Sequence, residues 1–202
     1  MKMFNPVDVC ISPDRMLQTT DNPRHRAMIQ NYRRHAMLEV AGRWEEILST
    51  DMMVKEPAYR IFYMGQALVL TGRDQVASFY ESLDSSGGTV FGPLDERMAV
   101  ADWGLALESY FGHHLRGHQL QAMGIAADDP NGFYQFEHWI SSFWPYSEDG
   151  RLVGEHIYED AGSRVLHQID EADFVTPGMA AAALNPLIDA QVSGAVADRS
   201  TT

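Results

Sequence analysis

The stretch Asp51-Met52-Met53-Val54-Lys55-Glu56-Pro57 stands where helix-forming sequence gives way to strand-forming sequence. Pro57 lacks an amide proton and disfavours the α region for the residue before it, so Glu56 is expected on extended backbone. The spacing predicts a strand from Val54 to Phe62 with this carboxylate near its start. Buried in an apolar cavity with a phenol nearby, such a carboxylate is a candidate proton-transfer base.

Upstream, Asp21-Asn22-Pro23 supplies a cap followed by proline in a first helical turn. Ile29, Tyr32, Ala36 and Val40 then recur at helical spacing, placing Tyr32 in the middle of an apolar face. A second short helix carries Trp44, Ile47 and Leu48. Downstream, Val76, Phe79, Tyr80 and Leu83 share one face of a third helix over 72–83, which Ser85-Ser86-Gly87-Gly88 ends. From Thr89 to Asp160 the pattern changes to aromatic and β-branched runs. Strands are predicted at 89–101, 103–116, 133–146 and 151–160, with a polar loop over 117–132 and a turn at Asp149-Gly150. Helices first and an antiparallel meander afterwards is an α+β order. Thr176-Pro177 caps an alanine-rich helix running to about Val192, with an interruption at Pro186 and a frayed end. The first twenty residues contain Pro6 and Pro13 and no sustained period. The reading is an N-terminal arm at 1–20, a body at 21–165, and a C-terminal helix and tail at 166–202.

At 202 residues the chain has the length of one domain with a sizeable core. Its 15 basic and 28 acidic residues give a formal charge of −13, which repels a nucleic-acid backbone or an anionic membrane. No nucleic-acid partner is expected. Cys10 is the sole cysteine, so neither an intrachain disulfide nor a cysteine-based zinc site is available, and a reducing, cytoplasmic setting is expected. No run approaches the roughly 18 apolar residues of a membrane span, and no secretory apolar region leads the chain. The expectation is a soluble protein.

A tight turn between the last two strands assigns their faces. Tyr134, Phe136, His138, Ile140, Ser142 and Trp144 then share a face with Val153, Glu155 and Ile157. The opposite face holds Glu137, Trp139, Phe143, His156 and Tyr158. Both are partly apolar, so one is expected to pack on the helices around a cavity and the other to meet a second subunit.

These residues carry a resemblance. Gln30-Asn31-Tyr32, Val54-Lys55-Glu56-Pro57, the run GRDQVASFY at 72–80 and the run DGRLVGEHIYED at 149–160 resemble, in order and spacing, the nuclear transport factor 2-like superfamily. That group includes ketosteroid isomerase and the SnoaL-like polyketide cyclases, and the similarity spans about residues 24–160. It implies a cone-shaped fold: three N-terminal helices packed on a strongly curved, mostly antiparallel sheet, here with an N-terminal arm and a C-terminal helix. In ketosteroid isomerase the catalytic aspartate precedes a proline and the oxyanion-hole tyrosine lies on the first helix; those positions fall on Glu56 and Tyr32. The chain also departs from the pattern. With the Asp-Gly turns aligned, the protonated aspartate of the isomerase becomes Ser142, and the aspartate of SnoaL-like cyclases and limonene epoxide hydrolase becomes Ile157. Glu155, two residues earlier on the same face, is the substitute. Neither catalytic set is complete, so neither specific reaction is implied.

The candidate catalytic residues are therefore Glu56 as base, Tyr32, helped by Ser142 or His138, as oxyanion donor, and Glu155 in a role related to that of the missing aspartate. Across the hairpin His138 could meet Glu155 or Ser142, and a His–Glu pair would orient the ring and raise its pKa. His113, Phe136, Ile140, Trp144 and Ile157 are the expected substrate-binding wall. Each has a plainer alternative: Glu56 as a solvated carboxylate, Tyr32 and His138 as satisfied core residues. In Gly112-His113-His114-Leu115-Arg116-Gly117-His118, strand alternation puts His113 on the apolar face, whereas the family pattern would use His114; both remain open. The same alternation and the glycines disfavour a metal cluster, so neither metal nor cofactor is expected.

The function expected is a cofactor-independent acid–base enzyme acting on a small, largely apolar, oxygenated molecule. Isomerisation, dehydration and aldol-type cyclisation share the first proton abstraction. The competing expectation is a ligand-binding or subunit-assembly module of the same fold. A homodimer through the outer sheet face fits either.

Overall fold

A computed structural model describes residues 1–192. The asparagine cap works as its sequence suggests: Asn22 Oδ1 accepts the amides of Arg24 and His25, and helix α2 (Pro23–Val40) follows. Ahead of it, the N-terminal arm is more ordered than its prolines suggest. Pro6–Cys10 form a 3-10 turn that runs into α1 (Ile11–Thr19). Arg33 of α2, 5% exposed, bonds Asp14 of α1 and Gln191 of α5 (Pro177–Val192), tying the three helices together.

Among the described residues the sheet has six strands in the order β2-β1-β6-β5-β4-β3. They are β1 (Ala58–Tyr63), β2 (Gln66–Thr71), β3 (Phe91–Ala101), β4 (Gly104–Arg116), β5 (Phe133–Pro145) and β6 (His156–Ile169). All neighbours are antiparallel except β1 and β6, which run parallel. Helix α3 (Gly72–Ser85) follows β2, and α4 (Gly117–Ala122) follows β4. The α+β curved sheet with helices at both ends of the chain is the architecture expected. Its main core lies between the sheet and α2, α3 and α5.

Several boundaries differ from the sequence reading. β1 starts at Ala58 rather than Val54, because the chain bends at Lys55 and Glu56. β2 was not foreseen; the left-handed pair Met64-Gly65 makes the two-residue turn that creates it. The short helix at 44–48 is a 3-10 turn at Trp44–Glu46. The polar loop contains α4, and the last strand is shifted to His156–Ile169, past the expected body boundary. Pro186 lies inside α5 without ending it. It and Ala182, whose carbonyl it frees, are both exposed. The frayed end foreseen for the tail lies outside the described residues.

Candidate active site

The strand registers bring the inward-facing side chains to one place. On β5, Ser142 stands opposite Ile157 of β6, and Ile140 opposite Glu159, so even positions of β5 share a face with odd positions of β6 as expected. On β1 the alternation that buries Tyr59 and Ile61 also turns Tyr63 inward. With α2, α3 and α4 these strands enclose a cavity of about 700 Å³. Exposed Ser82, Ser86, His118 and Ala122, at the end of α3 and on α4, mark its mouth.

The expected base lies elsewhere. Glu56 stands in the bend ahead of β1, next to the buried Pro57: it is exposed, lies against Gly72, and does not line the cavity. Phe136 is also absent from the wall. It is buried behind it, its ring centroid 4.9 Å from that of His138, in a small cluster with Leu115, Leu120 and Tyr134. The other candidates, Tyr32, His113, His138, Ile140, Ser142, Trp144, Glu155 and Ile157, all reach the cavity. Of the two adjacent histidines, His113 faces it. His114 turns the other way, where Nε2 meets Gln135 and Nδ1 accepts the Val175 amide.

Three polar clusters interrupt the apolar wall. The first is built on a β-bulge. Glu137 pairs with Val165 and Trp139 with Asp160, so residues 161–164 of β6 stand opposite His138 alone. The loop so formed brings Arg164 back onto Glu159, whose side chain is 1% exposed and takes both guanidinium bonds at 2.6 and 2.8 Å. Glu159 also accepts the Met64 amide at 2.7 Å and faces His138 Nδ1 at 2.9 Å. Burial works to raise its pKa, but Arg164, the Met64 amide and His138 hold it down at about 2. Glu159 is thus ionised and can only accept, which assigns the His138 proton to Nδ1. His138 Nε2 then accepts from His113 Nε2, 3.0 Å away. The His113 Nδ1 lone pair has no partner among the described residues and is left for the cavity. Tyr63 Oη lies 3.3 Å from His113 Nε2 and 3.5 Å from His138 Nε2. Burial pulls both imidazoles below the usual range, more for His113, and holds Tyr63 up. At neutral pH the histidines are uncharged and the phenol keeps its proton.

The second cluster contains Glu39 and Glu155. Gly154 positions the latter: a side chain there would meet the Ala58 carbonyl, so the backbone can approach β1 closely and Arg60 N–H donates to Glu155 O at 2.7 Å. His35 Nε2 lies 3.1 Å from Glu155 Oε1 and 3.8 Å from Glu39 Oε2, while Tyr80 donates to Glu155 at 2.9 Å. Burial, then the nearby Glu155 charge, raises Glu39 well above the usual carboxylate range. The expected pairing of His138 with Glu155 is therefore replaced by two separate pairs, His138 with Glu159 and His35 with Glu155.

The third holds Tyr32, whose hydroxyl donates to Glu96 Oε2 at 3.0 Å beside Ser109 at 2.9 Å. Ser142 Oγ accepts from Trp144 Nε1 at 3.1 Å. Sequence reading missed His35, Glu39, Tyr63 and Glu159. The first two had a visible signal, since Tyr32, His35 and Glu39 follow one another at helical spacings of three and four. Glu159 continues the odd-numbered series of Glu155 and Ile157. No group of three or more His, Cys, Asp and Glu side chains among the described residues is arranged to hold a metal ion.

No family model matches the sequence, and no curated protein matches it. Solved structures do share the fold. A SnoaL-like polyketide cyclase candidate from Shewanella putrefaciens aligns over 81% of this chain and 93% of its own, with a TM-score of 0.57 and 9% identity. An NTF2-like protein from Anabaena variabilis aligns over 70% and 94%, with a TM-score of 0.51 and 13% identity. The fold implied by the sequence resemblance is the fold found.

Proposed function

We propose that the cavity is the active site of an acid–base enzyme acting on a small, largely apolar, oxygenated molecule, with His113 as the base in place of Glu56. The observation that carries this reading is the line from Glu159 through His138 to His113, with an unprotonated nitrogen left at its cavity end. A substrate C–H next to a carbonyl would give its proton to His113 Nδ1 while the C–H electron pair forms the enolate. As His113 gains that proton, its Nε2 proton can pass to His138 Nε2, which moves the positive charge beside ionised Glu159. Tyr63, still protonated, would donate to the enolate oxygen. Isomerisation, dehydration and aldol-type cyclisation all begin this way, and the SnoaL-like fold is compatible with each.

The test is exchange of the α-protons of 2-tetralone in D₂O, followed by proton NMR. Wild-type protein is expected to accelerate exchange, and His113→Ala and His138→Ala to lower that rate by about 100-fold or more. Glu56→Gln should leave it unchanged. A rate that falls in the Glu56 variant and survives in both histidine variants would return the role to Glu56.

The cytoplasmic assignment stays with this proposal: the single thiol, Cys10, is free and buried. No helix among the described residues is long and apolar enough to cross a membrane. The outer sheet face is proposed to pair two copies of the chain, because Trp103, Phe143 and Tyr158 are exposed there in one aromatic strip.

A further inference from the structure

The cavity is polar at two ends. Glu155 and Glu159 are four residues apart, about 13 Å at strand rise, with Ile157, Ile61 and Ile140 between them. The Glu159 end is the proton relay. At the other end two carboxylates, Glu39 and Glu155, share the single imidazole of His35. Glu39 is the odd member. Its side chain is 13% exposed and lines the cavity, yet its carboxylate accepts no hydrogen bond from any described residue. Among the described residues, no lysine or arginine lines the cavity.

We propose that this end is a receptor for a basic nitrogen, so that the cavity takes a largely apolar amine with its ammonium group between Glu39 and Glu155. The electrostatics separate this ligand from its alternatives. A carboxylate or phosphate would be buried against two acids with no cation to meet it. A hydroxyl could donate only one hydrogen bond and would bring no charge to the two acids. An ammonium group carries three donors and the missing charge, and the isoleucines between the two ends suit an apolar body.

Burial and the nearby Glu155 raise the Glu39 carboxyl well above the usual carboxylate range, and its surroundings are His35 from α2, Tyr80 from α3, Tyr59 from β1 and Glu155 before β6. Binding is therefore coupled to ionisation. Glu39–COOH and R–NH₃⁺ become the ion pair Glu39–COO⁻ with R–NH₃⁺, and the carboxyl proton leaves to solvent.

The inference uses the same cavity as the proposed acid–base function, but its residues lie at the end remote from the relay. It is tested by titration calorimetry of the full chain at pH 7.5 with 4-phenylbutylamine, 4-phenylbutan-1-ol and 4-phenylbutyrate. The amine is expected to bind about tenfold or more tighter than the alcohol, with the acid weakest. Buffers of different ionisation enthalpy should report release of up to about one proton per amine bound. Glu39→Gln should weaken the amine by about tenfold and leave the alcohol unchanged, while Glu39→Asp, which keeps the charge, should retain the preference. The proposal is overturned if alcohol and amine bind equally, if Glu39→Gln leaves the amine's affinity intact, or if the amine does not bind at millimolar concentration. Because 2-tetralone carries no nitrogen, loss of amine selectivity with proton exchange intact refutes the receptor alone. Selective amine binding without exchange refutes the relay alone.

Discussion

Glu159 gathers a two-pronged guanidinium, a backbone amide and an imidazole on one carboxylate. Its pKa is about 2 in the folded protein against an ordinary 4.5, so the unfolded chain binds its proton first as pH falls. The resulting stability, about 3 kcal/mol, is fully present above about pH 5 and is lost as pH drops toward 2. Urea unfolding between pH 6 and pH 2.5 should show that loss, and Glu159→Gln should flatten this part of the curve while lowering stability at neutral pH. Residue identity was only partly legible in the sequence. The proline rule put Glu56 on extended backbone at a strand start, whereas the chain bends at Lys55 and Glu56 ahead of β1 and leaves that side chain in solvent. His35 and Glu39 were hidden for a different reason: they are polar residues on a helical stripe judged by its apolar members.

At the scale of elements, the strand faces were readable because hydrophobic alternation and the Asp149-Gly150 turn point to the same register. β2 was not readable, since nearly all of its residues are exposed and its pattern lacks a buried face. The bulge opposite His138 has no simple signature either, because it depends on how β6 pairs rather than on β6 alone. His114 shows how α5 is attached. Its Nδ1 accepts the Val175 amide at 2.8 Å, its Nε2 donates to Gln135, and its ring stacks on Phe174. Burial lowers its pKa, opposed by Gln135 and by Asp173. A histidine whose folded pKa is depressed stabilises the fold above its ordinary value and ceases to do so as pH falls through the folded one. Protonation of Nδ1 removes the acceptor for Val175. Amide exchange of Val175 and the start of α5 should therefore accelerate as pH is lowered from 7.5 to 5, after correction for intrinsic rates. In His114→Phe the exchange should be fast at both values.

For the whole molecule, the exposed strip of Trp103, Phe143 and Tyr158 predicts a dimer at micromolar concentration. Light scattering coupled to size exclusion should report twice the chain mass for wild type and the chain mass for Phe143→Glu. A wild-type monomer at 50 µM, a concentration of about the order at which weak dimers assemble, would remove the sheet face as an interface. The global architecture was the most legible level, because element order constrains topology even where boundaries are wrong. One part of that topology governs the order of events during synthesis. Arg60 of β1 pairs in parallel with His156 of β6, a residue the ribosome adds 96 positions later. At about 5–20 residues per second, the β1–β2 hairpin waits several seconds for its neighbour. Until then its edge is open to other nascent chains, and the pocket has no floor on that side. Chaperone engagement is thus expected to persist through most of translation and to end as β6 clears the exit tunnel.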